Sequence, residues 1–167
     1  KPIIAMINGP CAGVGLIFTL YTDMRFVANE AKLTTSFSSR GLIAEHGVAW
    51  ILPRLIGEAN ALDLLLTSRV FLGDEAFNLG LANKAVPRES LEEYVTKITT
   101  NLVQKVSSRS IAIIKRQVRD SYFRNFNESL NIADNEMVKC FTDSDFKEGV
   151  ASFIEKRPPN FKAIGSL

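Results

Sequence analysis

The first apolar block of the chain, Pro2-Ile3-Ile4-Ala5-Met6-Ile7, is short and continuous, which predicts a buried strand. A small-residue turn follows, Asn8-Gly9-Pro10-Cys11-Ala12-Gly13-Val14-Gly15, and the apolar stretch Leu16-Ile17-Phe18-Thr19-Leu20-Tyr21 after it predicts a buried helix. Thr22 to Ala28 and Lys32 to Phe37 are predicted strands of mixed polarity around a turn at Asn29-Glu30-Ala31, and Ser38 to Gly41 is loop. From Gly47 onward, Val48, Ile51, Leu52, Leu55 and Ile56 recur at spacings of three and four and predict one helix face, with Pro53 tightening or kinking it. Leu62, Leu65 and Leu66 repeat the pattern in a next helix, Asp74 to Leu79 predicts a short one, and Leu81 to Val86 a short strand.

Beyond residue 87 the period is helical throughout. Ser90 with Glu93 predicts a capping box ahead of Leu91, Tyr94, Val95, Ile98 and Leu102. Two further amphipathic runs carry Ile111, Ile114, Val118 and Tyr122, then Leu130, Ala133, Met137 and Phe141. Thr142 with Asp145 is predicted to cap the last helix, whose apolar face is Phe146, Val150, Phe153 and Ile154 and which Pro158-Pro159 ends. The chain thus divides into an α/β part, 1–87, and an all-helical region, 88–167.

The turn at Gly13-Val14-Gly15 is the place for chemistry. Little side chain stands at the mouth of the helix, and the first N–H groups there have no partner inside it, which suits an anion or a developing oxyanion. Three phosphate or nucleophile motifs fail on the residues present. Phe18 stands where a dinucleotide fingerprint needs its third glycine, no Gly-Lys-Ser/Thr follows, and Val14 stands where a nucleophile elbow needs serine. The alternative is that small residues only let helix and strand pack closely.

Composition narrows the partners. With 46% hydrophobic and 23% charged residues in 167, one domain with a real core is expected. A net charge of +2, with no basic run interleaved with aromatics, gives no reason to expect nucleic acid or membrane as partner. No run reaches transmembrane length, no signal-peptide layout is present, and the terminal Ile164-Gly165-Ser166-Leu167 is not a peroxisomal Ser-Lys-Leu signal, so a cytoplasmic setting is the default expectation. Two cysteines, Cys11 and Cys140, with one histidine, give no metal-ligand spacing and no disulfide framework.

An ordered succession of segments resembles the crotonase (enoyl-CoA hydratase/isomerase) superfamily. It comprises Lys1 to Gly9, the small-residue turn, Asp23-Met24-Arg25-Phe26-Val27-Ala28, Arg40-Gly41-Leu42-Ile43-Ala44-Glu45-His46-Gly47 and Leu52-Pro53-Arg54-Leu55-Ile56-Gly57. Ala59 to Thr67, Phe71 to Ala76, Leu79 to Asn83 and Phe153 to Arg157 continue it, so that it covers almost the whole chain. The resemblance implies a ClpP/crotonase-like ββα spiral core, incomplete at its N-terminus, with a helical C-terminal region for trimers or paired trimers. The chain opens inside a strand without a starting methionine, and family members carry earlier strands and helices, including an adenine-binding segment and one of two oxyanion donors. The expectation is therefore the C-terminal part of a longer protein.

The implied substrate is an acyl-CoA, with no separate cofactor and no metal. Removing a proton beside a thioester carbonyl needs two N–H donors on the oxygen and a base near the carbon. By resemblance, the Val14 backbone N–H is one donor, flanked by Gly13 and Gly15. Hydratases of the superfamily use two glutamates, and this chain has Ile17 and Phe37 at those positions, which removes the acid–base pair for adding water and leaves both as pocket residues. Glu45 matches the single catalytic glutamate of peroxisomal-type 3-enoyl-CoA isomerases. Ile43, Ala44 and Val48 are expected to give it a dry wall that favours the protonated acid. His46 tunes Glu45 or lines the pocket, or else is an ordinary surface or cap residue. Glu45 has its own alternative, an acid that merely favours a helix N-terminus. Phe161 and Lys162 in the tail are implied to reach a neighbour's CoA site. The expected activity is a 3-enoyl to 2-enoyl isomerase. An enoyl-CoA hydratase and a non-catalytic acyl-CoA-binding or scaffold member stand as alternatives.

Overall fold

The opening apolar block forms β1 (Ile4–Ile7) in a computed structural model that describes residues 1–162. The terminal Ile164 to Leu167 stretch considered above lies outside the described residues. The turn after β1 holds a strand that periodicity did not reveal, β2 (Cys11–Ala12), before α1 (Val14–Leu20). Next come β3 (Met24–Ala28), β4 (Lys32–Thr34), a 3-10 turn at Ser38–Arg40, α2 (Val48–Ile56) and α3 (Glu58–Thr67). The remaining elements are β5 (Phe71–Leu72), α4 (Gly73–Asn78), β6 (Lys84–Val86), α5 (Arg88–Lys105), α6 (Ser108–Asp120), a second 3-10 turn at Ser121–Phe123, α7 (Phe126–Phe141) and α8 (Ser144–Ile154).

The strands form two sheets that the chain visits in turn. One has the order β1-β3-β6, all parallel, with Met6 opposite Phe26 and Val27 opposite Ala85. The other has the order β2-β4-β5, with Cys11 opposite Leu33 in parallel and Leu33 opposite Phe71 antiparallel. Parallel neighbours need a crossover, and α1 supplies it between β1 and β3. The result is a winding of strand, strand, helix. Central β3 is buried from Arg25 to Ala28, as expected of a strand covered on both faces. The core also contains Leu16, Ile17 and Leu20 of α1, Leu33 of β4, and Val48, Ile51 and Leu52 of α2.

A charge is buried in this core and reaches backbone carbonyls. Arg25 is 7% exposed, its Nε donates to the Leu81 carbonyl at 2.7 Å, and its Nη1 donates to the carbonyls of Thr22 at 2.9 Å and Thr19 at 3.3 Å. The Thr19 and Thr22 carbonyls sit at the negative end of α1 and in the turn after it, where a cation is favoured. Asp23 accepts the Ile3 N–H at 2.7 Å and ties the start of β1 to the turn before β3.

Local expectations fail where several residues satisfy one pattern. In α3 the buried residues are Ala61 and Leu64, while Leu62 and Leu66 are 46% and 70% exposed. Adjacent leucines leave the face ambiguous, and the Thr35 hydroxyl, bonded to the Leu64 carbonyl at 2.8 Å, marks the side that packs. Ser90 and Glu93 form no capping box, because α5 begins at Arg88, directly after Pro87, and places Ser90 inside its first turn. The capping box lies instead at Asn125 and Glu128, where each side chain accepts the other's backbone N–H. Asp143, not Thr142, caps α8 by accepting from the Asp145 N–H at 2.9 Å, and the Thr142 hydroxyl bonds back to the Lys139 carbonyl.

The chain forms two compact units, Ile3–Thr96 and the stretch from Lys97 onward together with Lys1–Pro2. The division falls inside α5. In the second unit, Phe141 and Phe146 meet edge to face at 5.4 Å, while neither α6 nor α7 buries a residue. Arg157 grips Glu148 of α8 through two nitrogens at 2.6 and 2.9 Å, and the Asn160 N–H donates to the same carboxylate at 2.6 Å. Phe161 follows at once, half-buried, then exposed Lys162.

That grip sets a pH response. The Arg157 hydrogen bonds, then the Asn160 N–H, hold the Glu148 carboxyl down from 4.5 to about 2. A depressed acid stabilises the folded arrangement above its unfolded value, and the contribution is lost as pH falls from 4.5 through about 2. The Asn160 amide resonance is expected to titrate with a midpoint near 2 and to lose this titration in Glu148→Gln. A midpoint at the ordinary carboxylate value would overturn the grip.

Candidate active site

The glycine turn is exposed and its backbone is held in place. Gly13 has φ 52° and ψ −127°, a conformation that favours glycine, and its N–H donates to the Thr34 carbonyl at 3.0 Å. Its carbonyl accepts the Ile17 N–H at 3.1 Å, which makes Val14 the first residue of α1, with an N–H that finds no acceptor within the helix. Gly15 is exposed, and a Cβ there would meet only the Cys11 sulfur, at an ordinary 3.9 Å. Close packing inside the unit therefore does not explain Gly15. Burial pushes the Cys11 thiol pKa up, which disfavours the thiolate that a nucleophile would need.

Ile17 and Phe37 take core positions, 1% and 4% exposed. They were expected as pocket residues, but within the unit they offer almost no free surface. Ile17 lies on the inward face of α1, and Phe37 is drawn in where its carbonyl accepts the N–H groups of Arg40 and Leu42.

Glu45 is half-buried in the loop before α2. Its carbonyl accepts the Val48 N–H at 3.1 Å, and His46 Nε2 lies 3.7 Å from its carboxylate, an ion pair whenever the imidazole is protonated. No acidic residue stands in the first turn of α2, and Glu45 precedes the N-cap, Gly47, by two residues. A helix-end role is correspondingly weak, since the dipole effect fades beyond the terminal turn. The dry wall expected around it is incomplete. Ile43 is 79% exposed because residues 41–45 run outside helix and sheet, whereas Val48 is fully buried in the core.

The loop's geometry depends on a residue that the sequence pattern hid. His46 and Gly47 are consecutive left-handed residues, φ 53° and 72°, and the Tyr21 hydroxyl donates to the His46 carbonyl at 2.5 Å. Tyr21 is the C-cap of α1 and was read only as the end of an apolar stretch. Its partner is a backbone group 25 residues away, which no local motif signals.

Phe161 and Lys162 belong to the second unit. Phe161 lines a cavity of about 270 Å³ there with Arg109, Cys140 and Phe146, and Arg109 donates to the Cys140 sulfur at 3.3 Å. Cys11 and Cys140 are both free thiols. Among the described residues no group of three or more His, Cys, Asp or Glu is placed to hold a metal ion, and no helix is long and apolar enough to cross a membrane.

Strands wound between two sheets, with a glycine turn opening a buried helix, define an α/β fold. A family model described as enoyl-CoA hydratase/isomerase matches residues 1–164, and the chain belongs to that family, within the crotonase superfamily and fold. It is 34% identical to a crotonyl-CoA hydratase of Syntrophomonas wolfei, covering 96% of this chain and 62% of that protein. It is 29% identical to a 1,2-epoxyphenylacetyl-CoA isomerase of Escherichia coli, covering 96% of this chain and 61% of that one. The solved structure of a probable enoyl-CoA hydratase/isomerase from Mycobacterium abscessus superimposes with a TM-score of 0.94 at 28% identity, over 98% of this chain and 67% of that one. The chain thus spans less than two thirds of the length of these two curated relatives.

Gly47 tests the loop. A Cβ there would lie 2.7 Å from the Tyr21 hydroxyl and force a side chain onto a positive φ. Gly47→Ala is expected to lower unfolding stability by about 1–3 kcal/mol in urea denaturation. An unchanged midpoint means that the loop relaxes without cost.

Proposed function

We propose that the protein containing this chain is an acyl-CoA enzyme that moves a double bond from the 3- to the 2-position of an enoyl-CoA. Family membership supports the acyl-CoA thioester as substrate, with no separate cofactor. The observation that carries the isomerase reading is the fate of three positions: Ile17 and Phe37 are apolar and buried where hydratases of the superfamily have glutamates, and Glu45 is a carboxylate partly open to solvent.

In this reading Glu45 removes a proton from C2. The C–H electron pair moves into the C1–C2 bond while the carbonyl pair moves onto the thioester oxygen, where the Val14 N–H is one donor and a segment outside this chain supplies the second. When the carbonyl re-forms, the C1–C2 pair becomes the C2–C3 double bond. The former C3–C4 pair then takes the proton from Glu45 at C4. One carboxylate performs both transfers and ends as it began. His46 stands beside it, and Gly13 and Gly15 leave the oxyanion approach clear. Hydration is the second reading, favoured by relatives named as hydratases.

The test is the full-length protein with 3-hexenoyl-CoA and, separately, 2-hexenoyl-CoA. Isomerisation is expected to exceed hydration, and Glu45→Gln, which keeps size and removes the base, is expected to lower isomerisation at least about a hundredfold. Dominant hydration, or a Glu45→Gln variant at wild-type rate, defeats the isomerase reading.

The bare faces of the second unit support a homo-oligomer. Ile114, Val118, Phe126 and Phe153 are 57, 57, 77 and 85% exposed, more apolar surface than amphipathic helices ordinarily leave in water. A closed trimer or paired trimer is expected in sedimentation at micromolar concentration. A monomeric mass would remove this proposal.

A further inference from the structure

We infer that Tyr21 is a positioning residue for Glu45: its hydroxyl fixes the backbone that carries the carboxylate. The inference rests on the reading of Glu45 as the base. Tyr21 is 46% exposed, so its ring is not a core anchor, yet its hydroxyl donates across 25 residues to the His46 carbonyl at 2.5 Å. That carbonyl belongs to the residue immediately after Glu45.

The loop needs such a hold. His46 is a non-glycine residue at φ 53°, followed by Gly47 at φ 72°, and backbone of this kind persists only where its surroundings over-determine it. Two constraints come from the α2 side, where the Glu45 carbonyl accepts the Val48 N–H at 3.1 Å and the Gly47 carbonyl accepts the Ile51 N–H at 3.1 Å. Tyr21 supplies the constraint from the α1 side. Its oxygen also occupies the space a Gly47 Cβ would need, 2.7 Å away, so a residue without a side chain is required beside the hydroxyl. Without it, the carbonyl is free to turn toward water, and the backbone next to Glu45 loses its hold from the α1 side.

The experiment compares wild type, Tyr21→Phe, Glu45→Gln and the double variant of the full-length protein, with 3-hexenoyl-CoA as substrate and amide hydrogen exchange as a second readout. Tyr21→Phe keeps the ring, and is expected to lower kcat roughly ten- to a hundredfold with KM within about twofold, the scale of a misplaced catalytic group. In the Glu45→Gln background the same substitution is expected to change nothing, because a residue acting only through Glu45 has no further effect once the base is gone. Exchange at the Val48 amide is expected to rise in Tyr21→Phe. Wild-type kcat in Tyr21→Phe, an equal loss in both backgrounds, or unchanged exchange at Val48 overturns the inference. A wild-type rate in Glu45→Gln alone instead overturns the reading of Glu45 as base, and Tyr21 then keeps only the loop-holding role that the exchange measurement decides.

Discussion

Parallel pairing of β1 with β3 is the constraint on which the first unit depends. Two parallel neighbours cannot be joined by a tight turn, so the chain must leave the sheet and return, and it does so through one helix of seven residues, α1. A helix that short spans about 10 Å, which fixes the separation of its two ends. The glycine turn lies at one end. At the other, α1 leaves carbonyls that Arg25 collects and ends on Tyr21, which reaches the loop before α2. The buried face, Leu16, Ile17 and Leu20, prevents the helix from rotating, so its terminal groups are aimed by the core.

This explains what sequence could convey. The α2 helix was legible because a buried face enforces a period, and it is buried at Val48, Ile51, Leu52 and Ile56, which that period marks, whereas the late helices show the helical period although α6 and α7 bury no residue. Two-residue strands such as β2 and β5 are too short to carry a period, and only pairing with β4 makes them strands. The α3 face was misread because neighbouring leucines fit more than one stripe. Caps were misplaced because serine, threonine and aspartate are interchangeable in sequence, while Pro87 and Asp143 decide the actual helix starts.

The candidate site was legible in its residue types and less so in its support. Gly13, Val14 and Glu45 stand out by position in a family pattern, and the missing carboxylates at Ile17 and Phe37 can be counted directly. The burial of those two side chains, the exposure of Ile43 and the bond from Tyr21 to a distant carbonyl have no local signature. They arise from which face of α1 turns inward and from a peptide orientation, properties that exist only once the sheets have formed.

The helices of the two units are finished differently. In the first unit α1, α2, α3 and α4 make no side-chain cap hydrogen bond, and each buries residues in the core. In the second, α6, α7 and α8 each have a side-chain cap, from Ser107, Asn125 and Asp143, while α6 and α7 bury nothing. Both the denaturant slope and the heat capacity of unfolding scale with the area a fold hides from solvent. Taken as single units, the second therefore has the smaller denaturant slope and heat-capacity change per residue, and its capped helix ends hold turns that burial does not.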